Sequence, residues 1–387
     1  MAGIRIGLPQ MYKEPGEKRD FLPAFVSLLS HQGAELFLEY GYGSELGYTE
    51  GDYLRAAPAI NFVAHKEAFR KDYVLVLRCP YENELRLMHP GSCLISMLHY
   101  PTRPQRVALL RSLQLEGISL DSLKDDSGRR LVENLRSVAW NGINAAFQTL
   151  MKLYPDPGLD SPQRPPIKVT LLGAGAVGMN VVQAAVRYGN DKLRKRFVEA
   201  GVSGVQVTVV DYDVTPLDNY MIDLLKRTDI LVDATQRIDP SLPVIPNHWI
   251  QYMPQHAVLL DLSVDPYQCK VKPFYVKGIE GIPQGNLDQY IFAPDDPAFD
   301  AIPECIPTEH RRWSVSCYSW PGVTPKECME VYGRQIRPVI STLIDKGGIQ
   351  NISPEGRFFE RAIARAQLSR WSETGEFRVP GNSDLKR

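Results

Sequence analysis

The chain has 387 residues, 44% of them hydrophobic and 23% charged, an ordinary globular composition at a length that favours two domains over one core. Its 44 Lys and Arg balance 45 Asp and Glu, which excludes a global field that would draw it to nucleic acid or to an anionic membrane. The opening residues, MAGIRIGLPQMY, lack an apolar signal core, and no apolar run approaches the roughly 18 residues of a membrane span.

From the amino end, IRIGLP (4 to 9) reads as a short strand and DFLPAFVSLLSHQG (20 to 33) as an amphipathic helix closed by Gly33. AELFLEY (34 to 40) is a strand, and the glycine-rich GYGSELGYTEGDY after it is a loop. INFVAHKEAFRK carries helical spacing. DYVLVLRCP (72 to 80) is an apolar strand stopped by Pro80, and SCLISMLHYP (92 to 101) is another, closed by Pro101. RPQRVALLRSLQLEG is a helix and GISLDSL a final strand. Strands alternating with helices predict a parallel sheet, so roughly the first 130 residues form an α/β domain.

A helix over 128 to 154 follows, with Leu131, Leu135, Val138, Ile143, Ala146 and Leu150 on repeating spacings. The proline-rich PDPGLDSPQRPP (155 to 166) then leads into KVTLLGAGAVGMN. VQVTVVDYD (205 to 213), TDILVDAT (228 to 235) and AVLLDLSVD (257 to 265) are further strands. Residues 266 to 312, with many prolines and acidic residues, read mostly as loop. From Thr324, a good N-cap, and Pro325 at the first helical position, TPKECMEVYGRQIRPVISTLIDKGG reads as a helix. The six cysteines (Cys79, Cys93, Cys269, Cys305, Cys317, Cys328) include no C-x-x-C pair. Reduced, mostly buried thiols of a cytoplasmic protein are expected, with neither a metal site nor a disulfide framework.

Gly173, Gly175 and Gly178 form G-x-G-x-x-G between a strand, IKVTLL, and a helix, MNVVQAAVRYG. The first glycine permits a tight turn, the second lets backbone approach a pyrophosphate, and the third packs helix on strand. The phosphate rests on N–H groups at the helix start, here at Ala176 and Val177. Asp211 ends the next strand, where a carboxylate accepts ribose hydroxyls and disfavours NADP. Tyr212, Ala234 and Thr235 complete the expected cofactor-facing set. The interval from Gly173 to Asp211 exceeds the usual ~20 residues, because DKLRKRFVEAGVSG (191 to 204) reads as an inserted basic helix. Its Lys192, Arg194, Lys195 and Arg196 read as a solvated face, and NAD is the expected cofactor.

The order of parts resembles the alanine dehydrogenase superfamily, which includes lysine-forming saccharopine dehydrogenase, carboxyethylornithine synthase and the NAD-binding subunit of transhydrogenase. The similarity is carried by GLPQMYKEPGEKRDFLP, LFLEYGYGSELGYTEGDY, VLRCP, SMLHYPTRP, GAGAVG, DLSVD and SWPGVTP. KDDSGRRL (124 to 131) is particularly similar to the saccharopine dehydrogenases. The resemblance implies two Rossmann-like domains with parallel sheets and an active-site cleft between them. Residues 1–135 with 315–387 would form the substrate domain, and 136–314, with the linking helix, the NAD domain. It further implies that Arg19 holds a substrate carboxylate, that His99 is catalytic, and that Asp265 lies near the nicotinamide. Arg130, or its neighbour Arg129, would hold a second carboxylate.

One position departs from that pattern. Where the family has a catalytic lysine, this chain has Arg78. A guanidinium keeps its proton, with a pKa above ~12, so Arg78 is expected to act as a fixed cation and proton transfer to fall to His99. Cys79 stands where saccharopine dehydrogenases carry a glutamate, and Ser319 or a neighbour where the family has asparagine. The expected activity is NAD-dependent oxidation or reduction of an amino acid or opine-type secondary amine, with a small amino or 2-oxo acid as substrate. A homo-oligomer is allowed. Two alternatives stay open: an enzyme that uses bound NAD without net redox, of deaminase or cyclase type, and a lapsed NAD-binding regulator.

Overall fold

The computed structural model describes residues 3–10, 16–237, 239–270, 272 and 274–371. Residues 11 to 15 of the opening motif lie outside them. The chain divides into two compact units. One consists mainly of Glu17–Asn134 with the first strand and the segment from Pro325, and the other of Leu135–Thr324.

The first unit holds a six-stranded sheet in the order β3-β2-β1-β4-β5-β6. Its strands are β1 (Arg5–Leu8), β2 (Glu35–Glu39), β3 (Asn61–Val63), β4 (Tyr73–Arg78), β5 (Cys93–Met97) and β6 (Glu116–Ser119), all parallel. Apolar, β-branched runs such as YVLVLR fit strands covered on both faces. Helices Pro23–His31 and Pro325–Lys346 bury Phe25, Val26, Leu29, Met329, Ile336 and Ile340 in one core with these strands.

Two expectations change here. The segment read as a glycine-rich loop contains a helix, Glu50–Ala56. Thr49 caps it: the Thr49 hydroxyl accepts from Asp52 N while the Asp52 carboxylate accepts from Thr49 N. INFVAHKEAFRK is not one helix but β3 followed by the short helix His65–Phe69, because Asn61, Phe62 and Val63 pair with Phe37, Leu38 and Glu39. Edge pairing overrides the local period. The linking helix starts at Leu135, and a helix at Phe358–Ala366 joins the first unit.

The second unit has the order β11-β12-β10-β9-β7-β8. These are β7 (Ile167–Leu172), β8 (Val205–Val210), β9 (Ile230–Asp233), β10 (Val258–Asp261), β11 (Ile291–Phe292) and β12 (Trp313–Ser316), and β11 alone pairs antiparallel among them. Helices Leu135–Leu153 and Ala176–Ala185 share one core with this sheet. Met221, Leu224 and Leu225 of helix Asp218–Leu225 belong to a second core, with Trp249 and Ile250. The basic insert is the helix Asp191–Glu199, anchored by buried Phe197 with its cations outward. Among the described residues, no helix is long and apolar enough to cross a membrane.

The expectation of six reduced cysteines is corrected. Cys269 and Cys305 form a disulfide across the loop, while Cys79, Cys93, Cys317 and Cys328 are free and buried. The 36-residue separation carries no spacing signal, so only tertiary proximity reveals the pair.

Thr49→Ala removes one half of the capping box. It is expected to lower stability by about 1 kcal/mol, read as a shifted urea midpoint at unchanged slope.

Candidate functional site

Arg78 and His99 lie at the carboxyl ends of β4 and β5, where open parallel sheets place ligands. The register of β4 against β5 shifts between Leu75 and Arg78, and such an irregularity re-aims the last side chain. Arg78 Nη1 lies 3.4 Å from Glu17 Oε2, and Arg19 Nε lies 3.1 Å from Glu17 Oε1. The Glu17 side chain is fully buried and that of Arg19 nearly so. Two of the expected cations are therefore brought together on one internal carboxylate. Glu17 was not singled out from sequence, since in GEKRD it reads as one more charge of a solvated run.

His99 follows β5 with φ at 51°, a left-handed backbone that turns the chain out of the strand. Asp121, just after β6, fixes it. Asp121 Oδ1 accepts from His99 N at 3.1 Å and Ser119 Oγ at 2.8 Å, and Oδ2 lies 3.3 Å from His99 Nδ1. Burial pushes the Asp121 carboxyl up, but the His99 and Ser119 hydrogen bonds and the His99 charge outweigh it and hold it at about 2. With Nδ1 on Asp121, Nε2 is the nitrogen available for proton transfer, on a side chain 50% exposed. Asp121 was missed, although the strand-end logic used for His99 applies to it equally.

Arg130 is elsewhere. It is exposed, its backbone bridges to Lys124, and none of the contacts above includes it. Arg129 pairs with Asp125 at 3.2 Å. Asp126 of the same segment accepts from Arg361 and Arg365, which fastens this stretch to helix Phe358–Ala366.

In the second unit the glycines divide by role. Gly173 has φ at 91°, and its N–H donates to Val210 O at 2.9 Å. A Cβ on Gly178 would fall 2.2 Å from Gly173 O, so packing of the turn demands glycine there. A Cβ on Gly175 would meet nothing within 4 Å. The fold has no need of glycine at that position, and the space over it suits a ligand. Gly175 is also the N-cap of helix Ala176–Ala185, with no side chain capping it, which leaves the helix start to an anion. These residues fit a dinucleotide pyrophosphate. Asp211 is exposed beside this turn, with Oδ1 accepting from Tyr212 N at 2.9 Å, and Tyr212 is 80% exposed. Ala234 N donates to Leu172 O, which ties the end of β9 to the end of β7, where the glycine turn begins.

Thr235 is turned toward the sheet: its N and Oγ1 donate to Asp233 Oδ1 at 3.0 and 2.7 Å. Asp233 belongs to a buried network. Ser263 Oγ bridges Asp233 Oδ2 and Asp261 Oδ1 at 2.9 and 3.0 Å, and Lys277 Nζ donates to Asp261 Oδ2 at 2.6 Å with both side chains fully buried. Burial and the Asp261 charge push the Asp233 carboxyl up to about 6. Asp261 Oδ1 also accepts from Val264 N at 2.9 Å, holding Val264 at φ 61°. That conformation is an outlier for a β-branched residue, and it immediately precedes Asp265. Asp265 is paired with Arg237 at 2.7 Å, so it faces a fixed cation that sequence gave no reason to expect. Two surface cavities, of about 380 Å³ (299–311) and 580 Å³ (at the amino ends of β1, β4 and β5), contain none of these residues.

The fold is that of an α/β protein built on two six-stranded sheets of mostly parallel strands. Residues 9–140 match the family described as "Alanine dehydrogenase/PNT, N-terminal domain". Alanine dehydrogenase of Mycolicibacterium smegmatis is 22% identical over 88% of both chains, and that of Geobacillus stearothermophilus 22% identical over 68% of this chain and 72% of its own. A solved L-alanine dehydrogenase superimposes with a TM-score of 0.71 at 18% identity, covering 94% of each chain. A transhydrogenase of Sinorhizobium meliloti superimposes with a TM-score of 0.59 at 15% identity, covering 88% of this chain and 94% of its own. The fold is that of alanine dehydrogenase, and the chain is alanine dehydrogenase-like in sequence.

The raised Asp233 carboxyl has a stability consequence. Between about pH 4 and 6 the folded state binds more protons than the unfolded chain, so this group's contribution falls as pH rises through that window. Asp233→Asn is expected to gain on the order of 2 kcal/mol relative to the parent between pH 4 and 7, measured by urea unfolding at each pH. A difference independent of pH would contradict the assignment.

Proposed function

We propose that the chain is an NAD-dependent oxidoreductase of amino acids or opine-type secondary amines, related to the alanine and saccharopine dehydrogenases. The observation that carries this reading is the His99–Asp121 pair, a half-exposed imidazole oriented by a buried carboxylate at the carboxyl edge of a parallel sheet. Its Nε2 would take a proton from an amine or hydroxyl during oxidation and return it during reduction. Arg78, held by Glu17, would polarise the carbonyl or imine as a permanent cation and not serve as base. Arg19 would add positive charge for a substrate carboxylate, and Arg130 would meet a second one from the exposed segment.

The glycine turn, Ala176, Val177 and Asp211 would hold the dinucleotide, with Asp211 favouring NAD over NADP. When bound, the nicotinamide supplies or accepts hydride at the carbon next to the carboxylate. Asp265, neutralised by Arg237, would contribute orientation and not proton transfer.

The test is NADH consumption with a panel of 2-oxo acids, each with and without ammonia, lysine and ornithine. Amine-dependent turnover is expected, and His99→Ala should reduce it by at least about 100-fold. Bound NADH with no turnover across the panel would instead favour the non-redox enzyme or the regulator.

Gly175→Val and Gly178→Ala separate cofactor space from packing. The first is expected to keep its melting temperature while NADH affinity falls at least about tenfold, because only the ligand occupies that space. The second is expected to lower the melting temperature, since its Cβ would meet Gly173 O. Equal NADH affinity in Gly175→Val would refute the cofactor placement.

A further inference from the structure

The two sheets share a run of five parallel strands and differ at their edges: the second adds antiparallel β11 beyond β12 and has no counterpart of β3 at the other edge. In the first, β3 flanks β2, which flanks β1. In the second, β8 takes the place of β2 beside β7, but nothing takes the place of β3. The chain leaves β8, forms helix Asp218–Leu225 and enters β9 on the far side of β7. β8 is left as an edge strand, paired with β7 over all six residues. Among the described residues, no backbone hydrogen bond leaves its other side.

Proteins usually guard such an edge with a lysine, a proline, a bulge or a very short strand. β8 reads VQVTVV. It has no charge, no proline and no glycine, its register with β7 is unbroken, and five of its six residues are β-branched. Val209 is 45% exposed, as is Val186 at the end of the neighbouring helix, and Met179 on that helix is 60% exposed. An unguarded, neutral strand of this kind is built to receive another strand.

We propose that β8 is a dimerisation strand, pairing antiparallel with β8 of a second copy of this chain about a two-fold axis through Val207. Side chains directly opposite in an antiparallel pair share a face, which confines the axis to a residue rather than the midpoint between two. With Val207 on the axis, Val205 lies opposite Val209 and Val207 opposite itself, a face of valines, while Gln206 lies opposite Thr208. β-branched cross-strand pairs of this sort stabilise sheets.

Charge selects the partner and the direction. The helix entering β8 exposes Lys192, Arg194, Lys195 and Arg196, and the turn leaving it exposes Asp211 and Asp213. Antiparallel pairing brings the basic entry of each copy toward the acidic exit of the other. A parallel arrangement would bring like charges together. The contact is isologous, so it closes as a dimer and does not propagate.

The mass in solution, measured by light scattering, is expected to be twice the 43.6 kDa chain or a higher even multiple. Val209→Lys, at a half-exposed position, is expected to halve that mass while the far-UV circular dichroism of the folded chain is unchanged. Val207→Cys is expected to cross-link two copies under mild oxidation, because its partner side chain is its own counterpart about 5 Å away. Val209→Cys is not, because the register offsets it from its counterpart by four residues. The four free native cysteines are buried and do not compete. A monomeric parent, an assembly unaffected by Val209→Lys, or cross-linking through Val209→Cys but not Val207→Cys would each overturn the proposal.

Discussion

The second unit is organised around one ion pair out of contact with water, Lys277 on Asp261. Taking both charges from water is costly and is offset only when the remaining lone pairs and protons are satisfied. Here they are. Gln284 accepts from Lys277 at 2.7 Å, and Asp261 accepts from Ser263, Val264 and Ser316. The Asp261 carbonyl accepts from the Trp320 indole as well. One carboxylate thereby joins the end of β10, the following turn, β12 and the long loop, and removing either charge would strand the other. The position of Asp265 depends on this pair through the left-handed Val264.

The first unit solves a similar problem with the signs reversed. Glu17 is the buried anion, and Arg19 and Arg78 converge on it from different parts of the chain. The arrangement suits an arginine at the end of β4. A lysine there offers a point charge, while a guanidinium serves an internal carboxylate with one N–H and keeps others in a fixed fork. His99 stands apart from that cluster on its own carboxylate, so fixed charge and titratable group are held by separate partners.

Much of this was legible in the sequence because strand ends and glycine turns are local. IKVTLLGAGAVG announces strand, turn and helix within a dozen residues, and His99 stands out at the end of an apolar strand. What escaped is non-local. Glu17 and Asp121 are ordinary acidic residues until folding brings Arg78 and His99 to them. The Cys269–Cys305 pair has no spacing signature, and β3 is too short to show a period before Phe37 and Leu38 pair with it. Helix Glu50–Ala56 was missed for another reason: its cap was present in TEGD, but the glycines around it dominated the reading.

The first unit is discontinuous, and this orders events during synthesis. All six of its strands are complete by Ser119, yet its core also contains Cys328, Met329, Ile336, Ile340, Leu343, Ala362 and Ile363. Those residues leave the ribosome only after the whole second unit, whose sheet is contiguous from β7 to β12. The unit begun first is therefore finished last. Its nascent sheet must wait without those residues for more than two hundred residues of elongation, a delay of about 10 to 40 s at ribosomal speeds.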